Sequence, residues 1–157
     1  MAHSQVESIR CLLIPVVEHN LLLPAGVVAE VVDYQEPDPL PDHLADQEWL
    51  LGFAGWRDQK VPLISMEAVM TGERAAPSIR ARIIVLKGLG QRSQLPYFGM
   101  LTRELPRLTT LSEPTVERLD EFAPQPGIHC QVLAGGEPAL LPDLEEIESQ
   151  MHTVLFG

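Results

Sequence analysis

The residues that could bind a metal ion are scattered along the chain rather than grouped. Only His129 and Cys130 are adjacent, and neighbouring residues of a β strand point to opposite faces, so these two cannot hold one ion together from that strand. A site assembled from distant histidines is the alternative that the spacing leaves open. We expect no metal site and interpret the five histidines as surface residues: His3, His19, His43, His129 and His152.

Two groups of carboxylates could take part in acid and base catalysis. Glu18 stands beside His19 at a predicted turn, and three glutamates form one acidic face of a predicted C-terminal helix: Glu145, Glu146 and Glu148. Neither group has an identified nucleophile or third member. We therefore expect no catalytic residue and no enzymatic activity.

The sequence contains no complete cofactor-binding motif. The segment KGLGQRS holds only Gly88 and Gly90 of the glycines that a dinucleotide-binding GxGxxG motif requires, and a predicted strand rather than a helix follows it. The patterns GxSxG, GxxxxGK and HExxH are also missing from the sequence. We expect the two glycines to form a hairpin turn with Leu89, and we expect no cofactor.

The pair Trp56-Arg57 is better explained by recognition of a partner protein. It lies in LLGFAGWRDQKVPLISMEAVMTG, residues 50–72, where two apolar segments flank a polar tip at residues 57–59. Tryptophan and arginine are the residues most enriched at binding hot spots. Successive strand residues face opposite sides, so one of the two points inward; we expect Arg57 to be the exposed one, and Trp56 as a core residue is the alternative.

Composition limits the classes of partner. The 157 residues include 11 basic and 22 acidic side chains, and the net charge of −11 would repel nucleic acid and anionic lipid. The longest apolar runs, residues 11–17 and 21–29, are far below the roughly 18 residues of a membrane-spanning helix. The segment MAHSQVESIR lacks the pattern of a secretory signal, which favours a cytoplasmic chain. We expect Cys11 and Cys130 to be reduced thiols, although the sequence alone leaves a disulfide open.

Short strands at hairpin spacing dominate the chain and predict an all-β barrel architecture. We predict a hairpin from strands 9–17 and 21–23 with its turn at His19-Asn20, and a second hairpin around Gly135-Gly136. The remaining strands are predicted at 27–34, 53–56, 60–64, 79–87 and 94–104. Proline-rich residues 35–43 are predicted to form a loop, and residues 106–127 are interpreted mostly as loop.

Two helices are predicted from their capping residues. Ser65 can cap a short helix over residues 66–70, which Thr71-Gly72 would end. Asp143 can cap a C-terminal helix in which Glu146 follows three residues later, and Leu144, Ile147 and Met151 share a face.

The segment at residues 50–72 resembles the CheW-like adaptor domains of bacterial chemosensory systems. Seven positions match the family pattern: Gly52, Arg57, Val61, Pro62, Leu63, Ile64 and Met66. Gly55 stands where asparagine is usual, Asp58 replaces the turn glycine, and Ser65 replaces an aspartate. Glu30 matches a strand glutamate and Gly99 is kept, while Leu101-Thr102 replaces Val-Asp. The resemblance extends from Ile9 to about Gln150.

The resemblance implies a mainly β fold of two interlocked SH3-like five-stranded barrels, with a few short helices and a C-terminal helix. The whole chain, 1–157, would be one domain with two lobes and an N-terminal tail at 1–8. The family is not catalytic and bridges a methyl-accepting chemoreceptor and a CheA-type histidine kinase, with a receptor groove between the barrels. The implied partner-binding residues are Val28, Glu30, Phe53, Trp56 and Arg57.

The departures from the family pattern suggest an auxiliary adaptor, such as the ChpC-like proteins of chemosensory clusters for twitching motility by type IV pili. Its partner could then be another chemosensory adaptor, and exposed sheet edges make a homodimer feasible. A different class of function remains as the alternative: a small barrel enzyme, or a domain that binds a small molecule or metal through His129, Glu18 or the C-terminal carboxylates.

Overall fold

The computed structural model describes residues 8–16, 18–89, 95–112, 115–119, 123 and 125–157. Several sequence predictions therefore lie outside the described residues: the tail at 1–7, the strand end at Val17, the turn residue Gly90 and the strand start at Gln94. Ser8, predicted as the last residue of the tail, is already the first residue of a strand.

The described residues form eleven strands and two α helices, with two short 3₁₀ turns. The strands are β1 Ser8–Val16, β2 His19–Pro24, β3 Val28–Asp33, β4 Leu50–Trp56, β5 Gln59–Ile64, β6 Arg82–Lys87, β7 Tyr97–Thr102, β8 Arg107–Ser112, β9 Val116–Leu119, β10 Ile128–Ala134 and β11 Glu137–Pro142. The helices are α1 Met66–Thr71 and α2 Leu144–Phe156.

The first sheet has six strands in the order β8-β1-β2-β11-β10-β9 and is built from both ends of the described chain. Its two edge strands, β8 and β9, meet where the backbone N–H of Ser112 donates to Oγ1 of Thr115 at 3.0 Å. The sheet therefore curls into a barrel. The prediction of a loop at 106–127 is wrong for β8 and β9, because strand pairing with β1 and β10 orders segments whose own sequence is poorly patterned.

The second sheet has five strands in the order β3-β6-β7-β5-β4. The chain that leaves β3 crosses back over β4, where Asp38 and Phe53 exchange backbone hydrogen bonds of 2.8 and 3.0 Å. Gly52 permits this crossing, since a Cβ on it would lie 2.1 Å from the carbonyl oxygen of Asp38. The predicted mainly β fold with two lobes is confirmed, with five strands in this sheet and six in the other.

The buried apolar side chains form three clusters. One lies inside each barrel, and the largest lies between them and takes residues from both sheets and from α2, among them Ile14, Leu21, Ile84, Phe98 and Met151. We call this largest cluster the interlobe core. Because both barrels bury side chains in it, they form one packed unit.

The capping predictions for both helices are confirmed. Oγ of Ser65 accepts from the N–H of Ala68 at 3.2 Å, and Gly72 ends α1 in the left-handed region with φ 81°. Asp143 caps α2, whose face bearing Leu144, Ile147 and Met151 is buried in the interlobe core. No helix in the described part of the chain is long and apolar enough to cross a bilayer.

The first hairpin differs in detail from the prediction. β2 begins at His19, so the chain turns earlier than predicted, next to Glu18 at φ 65°.

Cys11 and Cys130 are free thiols buried inside the first barrel, which confirms the prediction of reduced cysteines. Burial raises the pKa of the Cys11 thiol above its ordinary value, because the interior disfavours the thiolate.

Candidate functional site

The tip of the β4–β5 hairpin is a two-residue turn formed by Arg57 and Asp58. Both residues have positive φ, 47° and 60°, as a turn that matches the twist of paired strands requires. Trp56 pairs with Gln59, so the turn is one residue shorter than the predicted tip at residues 57–59. The geometry projects the Arg57 side chain into solvent, as predicted, with 64% of it exposed.

Trp56 is buried at the end of the second barrel, with 6% of its surface exposed. Its indole Nε1 donates to Oε1 of Glu30 at 3.1 Å. One aromatic contact is with the ring of Tyr97, at 4.8 Å between centroids. The guanidinium of Arg57 lies 4.5 Å from the Trp56 ring centroid, so the indole is covered by a cation. Trp56 is thus a core residue whose exposed margin supports Arg57.

Glu30 bonds to both Trp56 and Arg57 at the hairpin tip. Its Oε1 accepts from Nε1 of Trp56 and also from Nη2 of Arg57 at 3.3 Å. Glu30 is exposed, although its neighbours in β3, Ala29 and Val31, are apolar. The pairing of β3 with β6 is irregular just before it, between Val28 and Glu30. Since 43% of the Glu30 side chain is exposed, water screens this ion pair, and such pairs contribute about 0 to 1 kcal/mol.

The structure brings together Glu30, Trp56 and Arg57, and we call these three the hairpin-tip cluster. The other two predicted partner-binding residues, Val28 and Phe53, are apolar and take no part in the hydrogen bonds of this cluster. Val28 is half-buried and packs against the interlobe core. Phe53 is half-buried on β4, three residues before Trp56, beside the crossing at Asp38.

The chemistry of the hairpin-tip cluster suits binding. The guanidinium of Arg57 is fixed over an indole and uses one nitrogen for Glu30, so its other N–H groups face solvent. A planar guanidinium supported by an aromatic ring matches a carboxylate or a backbone carbonyl of a partner. Arginine is also among the side chains that contribute most at protein interfaces, and Arg57 is the exposed member of this cluster.

The acidic face predicted for the C-terminal helix is corrected at one position. Glu145 and Glu146 are exposed, but Glu148 is completely buried. It lies one turn after Leu144, on the face that packs into the protein, and its Oε2 accepts from the backbone N–H of Leu89 at 2.8 Å. Sequence periodicity could have found this, because Glu148 shares the face of Leu144 and Met151.

The remaining candidates for chemistry do not converge. Within the ranges described, no three His, Cys, Asp or Glu side chains are close enough to hold a metal ion. Glu18 and His19 line an open cleft of about 310 Å³ together with Gln131 and Glu137. His129, on the exposed side of β10, lies outside the lining of that cleft.

One family model matches most of the chain, and a solved structure shares its fold. The family model for the CheW-like domain matches residues 10–151. Among solved structures, the chain is similar to the scaffolding protein TtCheW from Thermoanaerobacter tengcongensis, with a TM-score of 0.71 and 16% sequence identity over 92% of this chain and 90% of that chain. A search of curated proteins gives no match. At this identity the structural likeness shows a shared fold.

Proposed function

The chain belongs to the CheW-like domain family, and from this we propose that it is a non-catalytic scaffold in bacterial chemosensory signalling. The observation that carries the proposal is the hairpin-tip cluster on a CheW-like fold: a solvent-facing arginine held over a buried tryptophan by a glutamate from another strand. A preorganised arginine and aromatic pair is suited to protein recognition.

The partners we propose are a methyl-accepting chemoreceptor and a CheA-type histidine kinase, or another chemosensory adaptor. Val28, at the margin of the interlobe core, and Arg57, at the hairpin tip, would contact them, and the half-buried Phe53 would add apolar area. Glu30 and the buried Trp56 would position Arg57. Apolar burial would supply most of the affinity, because an exposed ion pair adds only about 0 to 1 kcal/mol. We place the protein in the cytoplasm, where these partners present their signalling domains.

The experiment that tests this proposal is affinity capture with wild type and Arg57→Glu. The variant places a second carboxylate beside Glu30, and we expect it to recover less receptor or kinase while its circular dichroism is unchanged. Arg118→Glu is the matched control, because Arg118 is an exposed arginine of β9 in the other barrel. Equal recovery by wild type and Arg57→Glu would remove the hairpin-tip cluster from the binding site.

A finer proposal is that the protein is an auxiliary adaptor for type IV pili and twitching motility. It is supported by Asp58, which stands where the family pattern has a turn glycine and adopts φ 60° here. Deleting the gene should then reduce twitching while leaving swimming chemotaxis intact. The opposite phenotype would assign the protein to flagellar signalling.

The alternative function, binding of a small molecule or metal, is favoured by one observation, the cleft of about 310 Å³ lined by Glu18, His19 and Glu137. No three His, Cys, Asp or Glu side chains among the described residues lie close enough to hold a metal ion, so a small polar molecule is the ligand that this cleft would fit. A metabolite that raises the melting temperature of wild type but not of Glu18→Gln would support this function. No shift with any metabolite, together with capture of chemosensory partners, would reject it.

A further inference from the structure

Ile79 is an isoleucine held fully in solvent. It is 100% exposed at the centre of a turn in which the N–H of Ala81 donates to the carbonyl of Ser78 at 3.1 Å. The Ser78 hydroxyl in turn donates to the carbonyl of Arg103, which fixes this turn against the one that follows β7. Ordering a large apolar side chain in water brings no stability to the fold, so its position calls for another explanation.

Two arginines and a second exposed apolar side chain lie in this turn and in the turn after β7 to which it is bonded. Arg80 follows it directly and lies 3.9 Å from Glu104, a loose contact between two exposed side chains. Leu105, next to Glu104, is 62% exposed. Arg103 is exposed and forms no ion pair with any described residue. We call Ile79, Arg80, Arg103 and Leu105 the arginine face; its sign is opposite to that of the whole chain, whose net charge is −11.

The segment between β3 and β4 has the complementary charge. Residues 33–48 carry six carboxylates and no lysine or arginine, and we call them the acidic loop. Its first carboxylate, Asp33, pairs at 3.7 Å with Arg82, two residues after Arg80, and its last, Glu48, pairs with Arg74 at 3.5 Å. Of the four carboxylates between them, Asp38 pairs with Lys60, and three are exposed and form no ion pair in the described part of the chain: Glu36, Asp42 and Asp46.

We propose that the arginine face binds the acidic loop of a second copy of this chain. Arg82, two residues after Arg80, pairs with Asp33 at the start of the acidic loop, which places the loop beside the arginine face at this end of β3 and β6. Adjoining surfaces of opposite charge are self-complementary across a two-fold axis, so each copy offers both halves of the contact. Ile79 and Leu105 would lose their exposed area to water at the centre of each half.

The overall negative charge does not prevent this contact. At physiological ionic strength the Debye length is about 8 Å, so distant like charges on the two copies are screened, while arginines and carboxylates in contact are not. The dimer would nevertheless be weak and would depend on protein concentration. This inference is independent of the chemosensory function, because it uses neither the hairpin-tip cluster nor its partners.

The test is a charge exchange followed by sedimentation velocity. One variant carries Arg80→Glu and Arg103→Glu, and the other carries Glu36→Lys, Asp42→Lys and Asp46→Lys; all five side chains are exposed, and circular dichroism checks both folds. We expect wild type to shift from monomer toward dimer as its concentration rises. Each variant alone should dimerise about tenfold more weakly or worse, because like charges then face each other.

Mixing the two variants is the decisive measurement, because in a mixed dimer every contact again joins opposite charges. The mixture should recover the affinity of wild type, while Arg118→Glu, a change of equal charge on β9, should leave dimerisation unchanged. Wild type that remains monomeric at every concentration would overturn the proposal. Two variants that dimerise as wild type does, or a mixture that fails to recover, would also overturn it.

Discussion

The indole Nε1 of Trp56 donates a 3.1 Å hydrogen bond to Oε1 of Glu30, which lies 26 residues earlier in the chain. Trp56 ends β4 and Glu30 lies in β3, and these are the two edge strands of the five-stranded sheet. The bond therefore joins the edges of the barrel at the same end where Arg57 is displayed. Barrel closure and presentation of the proposed binding residue depend on the same carboxylate.

We predict a favourable coupling between Trp56 and Glu30 in a double-mutant cycle. Trp56→Phe removes the N–H donor and Glu30→Ala removes the acceptor, and the coupling free energy should be about 0.5 to 1.5 kcal/mol, the usual net value of one hydrogen bond. Urea denaturation of the four proteins measures it. Glu36→Ala combined with Trp56→Phe should be additive, since Glu36 makes no contact with the indole; a coupling near zero for Glu30 would contradict the prediction.

Replacing Asp58 by glycine should stabilise the protein. Asp58 has φ 60° at the second position of a two-residue hairpin turn, where glycine adopts the left-handed region without a clash of Cβ. We expect Asp58→Gly to raise the free energy of unfolding by about 1 kcal/mol, the low end of the cost of left-handed backbone for a residue with a Cβ, measured by thermal denaturation. Gln59→Gly, one residue later inside β5, should lower it; a melting temperature that falls for Asp58→Gly would show that the aspartate is not strained.

Gly52 is predicted to tolerate no side chain. It combines φ 137° with a hypothetical Cβ only 2.1 Å from a backbone oxygen of Asp38, so the chain crossing would have to move. We expect Gly52→Ala to lower the free energy of unfolding by about 3 kcal/mol or more, beyond the usual cost of overpacking. Gly26→Ala is the control, because a Cβ there would meet no atom within 4 Å. Similar melting temperatures for the two variants would contradict this account of the crossing.

Glu148 is predicted to hold the chain at Leu89, just after β6, against the C-terminal helix. Glu148→Leu leaves the N–H of Leu89 without its acceptor, and we expect a loss of about 1 to 3 kcal/mol in the free energy of unfolding. Hydrogen exchange at the Leu89 amide should speed up in this variant more than the global change explains. Glu145→Leu, on the exposed side of α2, should leave that amide unchanged; slow exchange at Leu89 in Glu148→Leu would reject the role.

Local signals in the sequence were sufficient for several elements. Ser65, Gly72 and Asp143 identified the ends of both helices because capping depends on neighbouring residues. Gly135-Gly136 likewise identified the hairpin of β10 and β11. The exposed position of Arg57 followed from strand alternation at the hairpin tip. Each of these features is decided within a few residues, which makes it readable from sequence.

Features that depend on distant partners were missed. β8 pairs with β1 across about a hundred positions of sequence, and its own proline-flanked pattern gave no strand signal. The partner of Glu148 is the distant backbone N–H of Leu89, and the need for glycine at position 52 depends on Asp38. The contact of Glu30 with Trp56 also joins separate strands. None of these relations is encoded by residues near each other in the chain.

The six-stranded barrel has a consequence for biosynthesis. β1 and β2 leave the ribosome before the other strands described, yet their neighbours β8 and β11 are made only after the entire five-stranded sheet. The second barrel can therefore fold while the first hairpin still lacks its neighbouring strands. Until those strands are made, apolar residues such as Leu13 and Leu22 are exposed to solvent. Such delayed closure slows folding and exposes nascent chains to aggregation, so we expect the yield of active protein to rise when holdase chaperones are abundant.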